Sequence, residues 1–75
     1  MNTQSTEKTY VLCVANLGYE TSLIVRRLYE KMEDTEAESH GMIRVVDESG
    51  QDYLFPRILF ESLSLPHAIQ QRLAS

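Results

Sequence analysis

Residues 21–34 read TSLIVRRLYEKMED, and their conformation decides the fold. Wound as a helix, Ile24, Val25, Leu28, Tyr29 and Met32 share one face. Arg26, Arg27, Glu30, Lys31 and Glu33 share the other, and Thr21 or Ser22 would cap the start. Drawn out as strands, Leu23 and Val25 alternate, Arg26-Arg27 bends the chain, and Leu28–Met32 opens a second strand. Periodicity alone leans to the helix. The helix gives an α+β domain on a three-stranded sheet, and the strands give a mainly β domain.

On the C-terminal side the reading is firmer. Glu33–Gly41 (EDTEAESHG) is polar and acidic and reads as a solvated loop. Met42–Val46 (MIRVV) is a strand. Asp47-Glu48-Ser49-Gly50 fits a type I turn, with Asp first and Gly fourth. Asp52–Phe55 (DYLF) returns as the second arm of a hairpin. Pro56 stops it, because proline cannot donate to a ladder. Arg57–Leu63 reads as a short turn and a closing strand. Pro66 suits the first turn of a helix over His67–Leu73. So short a helix needs Ile69 and Leu73 to dock on the body. On the N-terminal side, Thr9–Ala15 (TYVLCVA) is apolar on both alternate faces and reads as a covered strand. Asn16-Leu17-Gly18 turns it. Residues 1–8 read as a flexible polar tail.

From residue 21 to 65 this order resembles the SH3-like barrel. Leu23 and Val25 resemble the family's apolar pair, Arg26-Arg27 its diverging turn, and Met42–Phe55 its distal hairpin. Leu54-Phe55-Pro56 stands where the family has apolar-apolar-Pro, and Arg57-Ile58-Leu59-Phe60 where it has a helical turn. The resemblance implies a five-stranded barrel over residues 9–75 with a short C-terminal helix, and strands rather than a helix over Leu23–Met32. It also implies a core of Val25, Ile43, Val45, Phe55 and Phe60. The aromatic groove of the peptide-binding members is missing. Met42 and Leu59 stand where that groove has Trp and Tyr, so a proline-rich ligand is not expected. The segment IRVVDESGQDYLFP is also similar to one in short uncharacterised bacterial proteins, cyanobacterial ones among them. That implies a compartment and no mechanism.

Charge and chemistry narrow the function. At 75 residues the chain allows one domain, and its net charge is −4. An acidic chain repels phosphate, so nucleic-acid binding through the barrel stands as the alternative reading. No membrane span is expected, because the longest apolar run, Val11–Ala15, is far below the roughly 20 residues a span needs. The polar first residues carry no secretory h-region. The lone Cys13 has no disulfide partner, which fits a reducing cytoplasm. Mid-strand and without a basic neighbour, it reads as a buried thiol rather than a nucleophile. His40 and His67 lack zinc-ligand spacing and read as surface groups. The run Glu33, Asp34, Glu36, Glu38 lacks EF-hand spacing. No phosphate loop or nucleophile elbow occurs. No cofactor is expected.

The expected function is therefore non-enzymatic: a module that binds another protein, as a subunit or regulator. Interfaces favour aromatic anchors, so the expected contact patch is Tyr19, Tyr53, Leu54, Pro56 and Leu59. An exposed sheet edge makes a homodimer conceivable.

Overall fold

A computed structural model describes residues 8–63 and 66–74. The tail expected over residues 1–8 lies outside it except for Lys8, whose ammonium pairs with Glu30 at 3.5 Å. Five strands form one antiparallel sheet: β1 Thr9–Cys13, β2 Leu28–Met32, β3 Met42–Val46, β4 Asp52–Pro56 and β5 Phe60–Ser62. A four-residue helix α1, Thr35–Glu38, joins β2 to β3. A single 3-10 turn, Arg57–Leu59, joins β4 to β5, and α2 spans His67–Ala74. The spatial order is β4-β3-β2-β1-β5. The domain is mainly β, and the two outermost strands are not paired with each other, so the sheet is open.

Residues 21–34 do not form a helix. The backbone of Arg26 is left-handed, at φ +76°, a conformation no right-handed helix admits. Its N–H donates to the Cys13 carbonyl at 2.7 Å, and Cys13 N–H donates to the Arg27 carbonyl at 3.0 Å. These bonds turn the chain back along β1 and start β2 at Leu28. The register then runs from Leu12 opposite Leu28 to Thr9 opposite Lys31.

The core gathers Val11, Cys13, Leu23, Tyr29, Ile43, Val45, Phe55, Leu59 and Phe60, with Tyr19 packed against it. Phe55 lies edge-to-face with Tyr19 at 5.5 Å and with Phe60 at 6.3 Å. Val25, expected in the core, is instead 39% exposed, whereas Leu23 is fully buried. The cause is local. Arg27 N–H closes a turn onto the Ile24 carbonyl at 3.2 Å, and the turn carries Val25 outward at its tip.

The acidic stretch is not a plain loop. The Asp34 carboxylate accepts the Ala37 N–H at 3.0 Å and so caps α1, as N-terminal carboxylates do. Ala37 buries itself against the sheet. Gly41, at φ +76°, lets the chain leave the helix for β3. At the hairpin, Gly50 N–H donates to the Asp47 carbonyl at 2.9 Å. The buried Asp47 carboxylate accepts from Ser49 N–H and Oγ at 2.8 and 2.6 Å. β4 carries through Pro56, which sits opposite Met42. Of α2, Ile69 and Leu73 remain 43% and 42% exposed, so neither is the buried anchor expected of it.

Burial separates Leu23 from Val25 by experiment. Leu23→Ala should cost about 2–5 kcal/mol, as filled core positions do. Val25→Ala should stay within about 0.5 kcal/mol. Urea unfolding of both variants measures the difference, and equal costs would return Val25 to the core.

Candidate functional site

A polar clasp holds the surface loops in place. The Tyr29 hydroxyl accepts Ile24 N–H at 2.8 Å and donates to the Glu48 carboxylate. Glu48 also accepts from the Arg27 guanidinium at 3.1 Å, and its own N–H donates to the Ser22 carbonyl at 3.0 Å. Asn16 Nδ2 donates to the Leu23 carbonyl at 2.9 Å. Together these bonds tie the β1–β2 connection to the β3–β4 turn. Burial and the neighbouring carboxylate push the Tyr29 hydroxyl up to about 12.

The expected contact residues divide across β4. Side chains alternate along a strand, so Tyr53 shares the core face with Phe55, while Leu54 and Pro56 share the other face. Tyr53 is 50% exposed, and its hydroxyl donates to Gln51 Oε1 at 3.1 Å. Leu54 is 41% exposed and Pro56 half-buried. Tyr19 is half-buried on Phe55. Leu59 is a core residue and offers no surface. The exposed aliphatic of that turn is its neighbour Ile58, at 83%. A single 3-10 turn points one side chain inward, here Leu59, and leaves Ile58 outside. Leu17, an aliphatic side chain inside turn chemistry and outside the expected patch, is 85% exposed. The Leu59 carbonyl accepts from Val14 N–H at 2.8 Å and Ala15 N–H at 3.3 Å. That staple brings the 3-10 turn beside the chain segment that leads to Leu17.

On the outer face, α1 and β3 enclose a groove of about 400 Å³ lined by Asp34, Glu36, Ala37, His40, Met42, Arg44 and Leu54. Arg44 bridges Asp34 at 2.9 Å and Asp52 at 3.0 Å. The N–H of Ala37 and then the Arg44 guanidinium hold the Asp34 carboxyl below the usual carboxylate range. Lys31 does the same to Glu38 across 2.7 Å. His40 Nδ1 lies 2.9 Å from the Glu36 carbonyl and is exposed. The side chain of His67 lies outside the described residues.

Cys13 is fully buried, its thiol donating to the Ala15 carbonyl at 3.3 Å, and burial pushes that thiol up. Among the described residues, no group of three or more His, Cys, Asp and Glu side chains could hold a metal ion. No helix among them is long and apolar enough to cross a membrane. Compared with family models, curated proteins and solved structures, the chain matches none.

The clasp sets an alkaline limit. A hydroxyl raised on folding contributes stability that is complete below its ordinary value of 10 and is lost as pH climbs through about 12. Thermal unfolding should therefore weaken over that window, and Tyr29→Phe should remove this part of the pH dependence. Tyrosinate absorbance of the folded protein should contain a late-ionising step that Tyr29→Phe removes. A high-pH titration left unchanged by the substitution would mean the clasp is absent.

Proposed function

We propose that this chain is a non-enzymatic protein-binding module on an SH3-like barrel, acting in the cytoplasm as a subunit or regulator. The strand order supports the barrel, with β1 between β2 and β5 and a single 3-10 turn leading from β4 into β5. The neighbouring polar groups that chemistry would need are engaged in structural pairs: Tyr29 with Glu48, Arg44 with Asp34 and Asp52, and Lys31 with Glu38. A buried thiol with a raised pKa makes Cys13 a poor nucleophile.

One observation carries the binding reading. β4 is an outermost strand of the sheet, and it bears exposed apolar side chains on both of its faces. An open edge of this kind accepts an added strand: main-chain bonds supply affinity and alternate side chains supply specificity. The surface runs from Tyr53 and Leu54 through Pro56 to Ile58. Glu33 and Glu36, which have no ion pair among the described residues, lie in and beside the segment that flanks it. These charges favour an extended partner segment with basic residues, and would speed encounter more than they deepen affinity. They also oppose a phosphate backbone, which leaves nucleic acid the weaker reading. A proline-rich ligand is disfavoured because Met42 is half-buried and Leu59 is core where aromatic walls would stand.

Leu54→Lys and Tyr53→Lys place charge on the edge at exposed positions, so folding should survive. Partners captured from the source cell by the native chain should be lost from both variants. Hydrogen exchange in β4 should slow on binding in the native chain only. Should self-association at high concentration disappear with the same substitutions, the partner is a second copy. Unchanged capture by both variants, or measurable turnover of a substrate, would sink the reading.

A further inference from the structure

The hydrogen-bond phase of the β3–β4 hairpin fixes what β4 offers at the open edge. In an antiparallel pair, opposite residues alternate between those that exchange both main-chain bonds and those that exchange none. Arg57 N–H donates to the Gly41 carbonyl at 2.9 Å beyond one end of the ladder, and Asp47 N–H donates to the Gln51 carbonyl at 3.0 Å beyond the other. The register between them puts Tyr53 opposite Val45 and Phe55 opposite Ile43 in the bonded phase. Asp52, Leu54 and Pro56 fall in the other phase, so their main-chain groups point away from β3 to the outside of the sheet. Pro56 belongs there, because its missing N–H costs the ladder nothing at an outward position. The edge therefore presents the N–H groups of Asp52 and Leu54, which no loop or side chain among the described residues takes up. The side chains of the same residues lie on the outer face, beside the α1 groove. Asp34, Glu36 and Asp52 stand there against Arg44, a surplus of two negative charges with His40 neutral.

We propose that β4 takes an antiparallel strand of another protein in one fixed frame: cationic side chains on the residues that exchange bonds with Asp52 and Leu54, and an apolar side chain between them against Tyr53. This frame rests on the protein-binding reading of the β4 edge. Residues directly opposite each other put their side chains on the same face of a sheet, so the two bonded partner residues reach the acidic groove. Glu36, with no ion pair among the described residues, is the carboxylate there that can meet one. The partner residue between them falls on the core side, where Tyr53 is 50% exposed. Every pairing in the sheet is antiparallel, and an antiparallel pair is slightly the more stable per residue. Pro56 ends the frame, since it accepts a bond and cannot return one. A second copy is the poorer occupant, because it would set one acidic groove beside another.

The probe is the peptide acetyl-VKVKV-amide, titrated into the full chain and followed by amide chemical shifts, with acetyl-VEVEV-amide as its acidic counterpart. The lysine peptide should bind saturably and shift Asp52, Tyr53 and Leu54. The glutamate peptide should bind about tenfold more weakly at low salt, since exposed attractions become repulsions. Glu36→Gln should narrow that gap. N-methylation of both lysines removes the N–H groups that face β4 and should abolish binding. N-methylation of the central valine, whose N–H points away, should leave binding intact. Leu54→Pro should keep the fold, as Pro56 does, and lose the peptide, whereas Tyr53→Pro breaks the β3 ladder and should unfold the chain. Equal binding of the two peptides, a loss on valine rather than lysine methylation, or a folded Leu54→Pro variant that still binds overturns the frame while docking at β4 survives. No saturable binding of the lysine peptide also overturns it, and capture by Leu54→Lys and Tyr53→Lys then decides the edge on its own. Shifts of Asp52 and Leu54 that grow with protein concentration alone would make the occupant a second copy and overturn it too.

Discussion

The contact between Tyr29 and Glu48 is the constraint on which the rest of the structure leans. Residues 14–27 belong to no strand, so few ladder bonds hold them. They are fixed instead at separate points: to β1 through Arg26 and Arg27, to β2 through the Tyr29 hydroxyl, and to the β3–β4 turn through Ser22 and Glu48. These anchors place Leu23 over the sheet, where it fills the core. Because the Tyr29 hydroxyl is both donor and acceptor, its loss would leave a partly buried N–H and a carboxylate each short of a partner, the costly way to lose a hydrogen bond. A short domain without a disulfide has little stability to spare. The polar clasp and the apolar plug therefore act as one unit.

The open sheet explains where exposed apolar edge surface falls. With β4 and β5 at opposite ends of the strand order, two edges need managing. β5 has only three residues and is held at its start by the staple between Leu59 and residues 14–15. A very short edge strand offers little to a partner. β4 is longer and bears Tyr53 and Leu54 exposed on its two faces. The same 3-10 turn that buries Leu59 leaves Ile58 to extend this apolar line.

What was legible in the sequence is what local chemistry determines. Met42–Val46 is rich in β-branched and apolar residues, Asp47 and Gly50 dictate the turn, and a helical turn over Arg57–Phe60 was legible only through the resemblance to the SH3-like barrel. The burial of Cys13 was legible because Thr9–Ala15 is apolar on both faces. What escaped depends on distant partners. Helical spacing in residues 21–34 is real, but the Cys13 carbonyl and the left-handed Arg26 override it. Nothing local distinguishes Leu23 from Val25, because the turn that exposes one is set by bonds to β1. Helix α1 spans four residues, too few to show a period, and its cap becomes meaningful only once Arg44 arrives from β3. Of the contact patch, the exposure of Tyr53 and Leu54 follows from their strand. Exchanging Leu59 for Ile58 requires the phase of a single turn, which composition does not carry.

Ion pairing along the sheet gives the two surfaces their different characters. Arg44 projects among outer-face side chains and is claimed by Asp34 and Asp52, so the groove beside β4 keeps Glu36, an acid with no ion pair among the described residues. Lys31 stands on the core face and takes Glu38 from the end of the same helix. Helix α1 thus delivers one carboxylate to each face of the sheet, and each delivery neutralises a cation that would otherwise be exposed. Arg57 follows Pro56, and its N–H is fixed to the Gly41 carbonyl at 2.9 Å. That bond ties the start of the 3-10 turn to the residue that precedes β3. The pairing of Arg44 and of Lys31 therefore has one origin, the placement of a four-residue helix between β2 and β3.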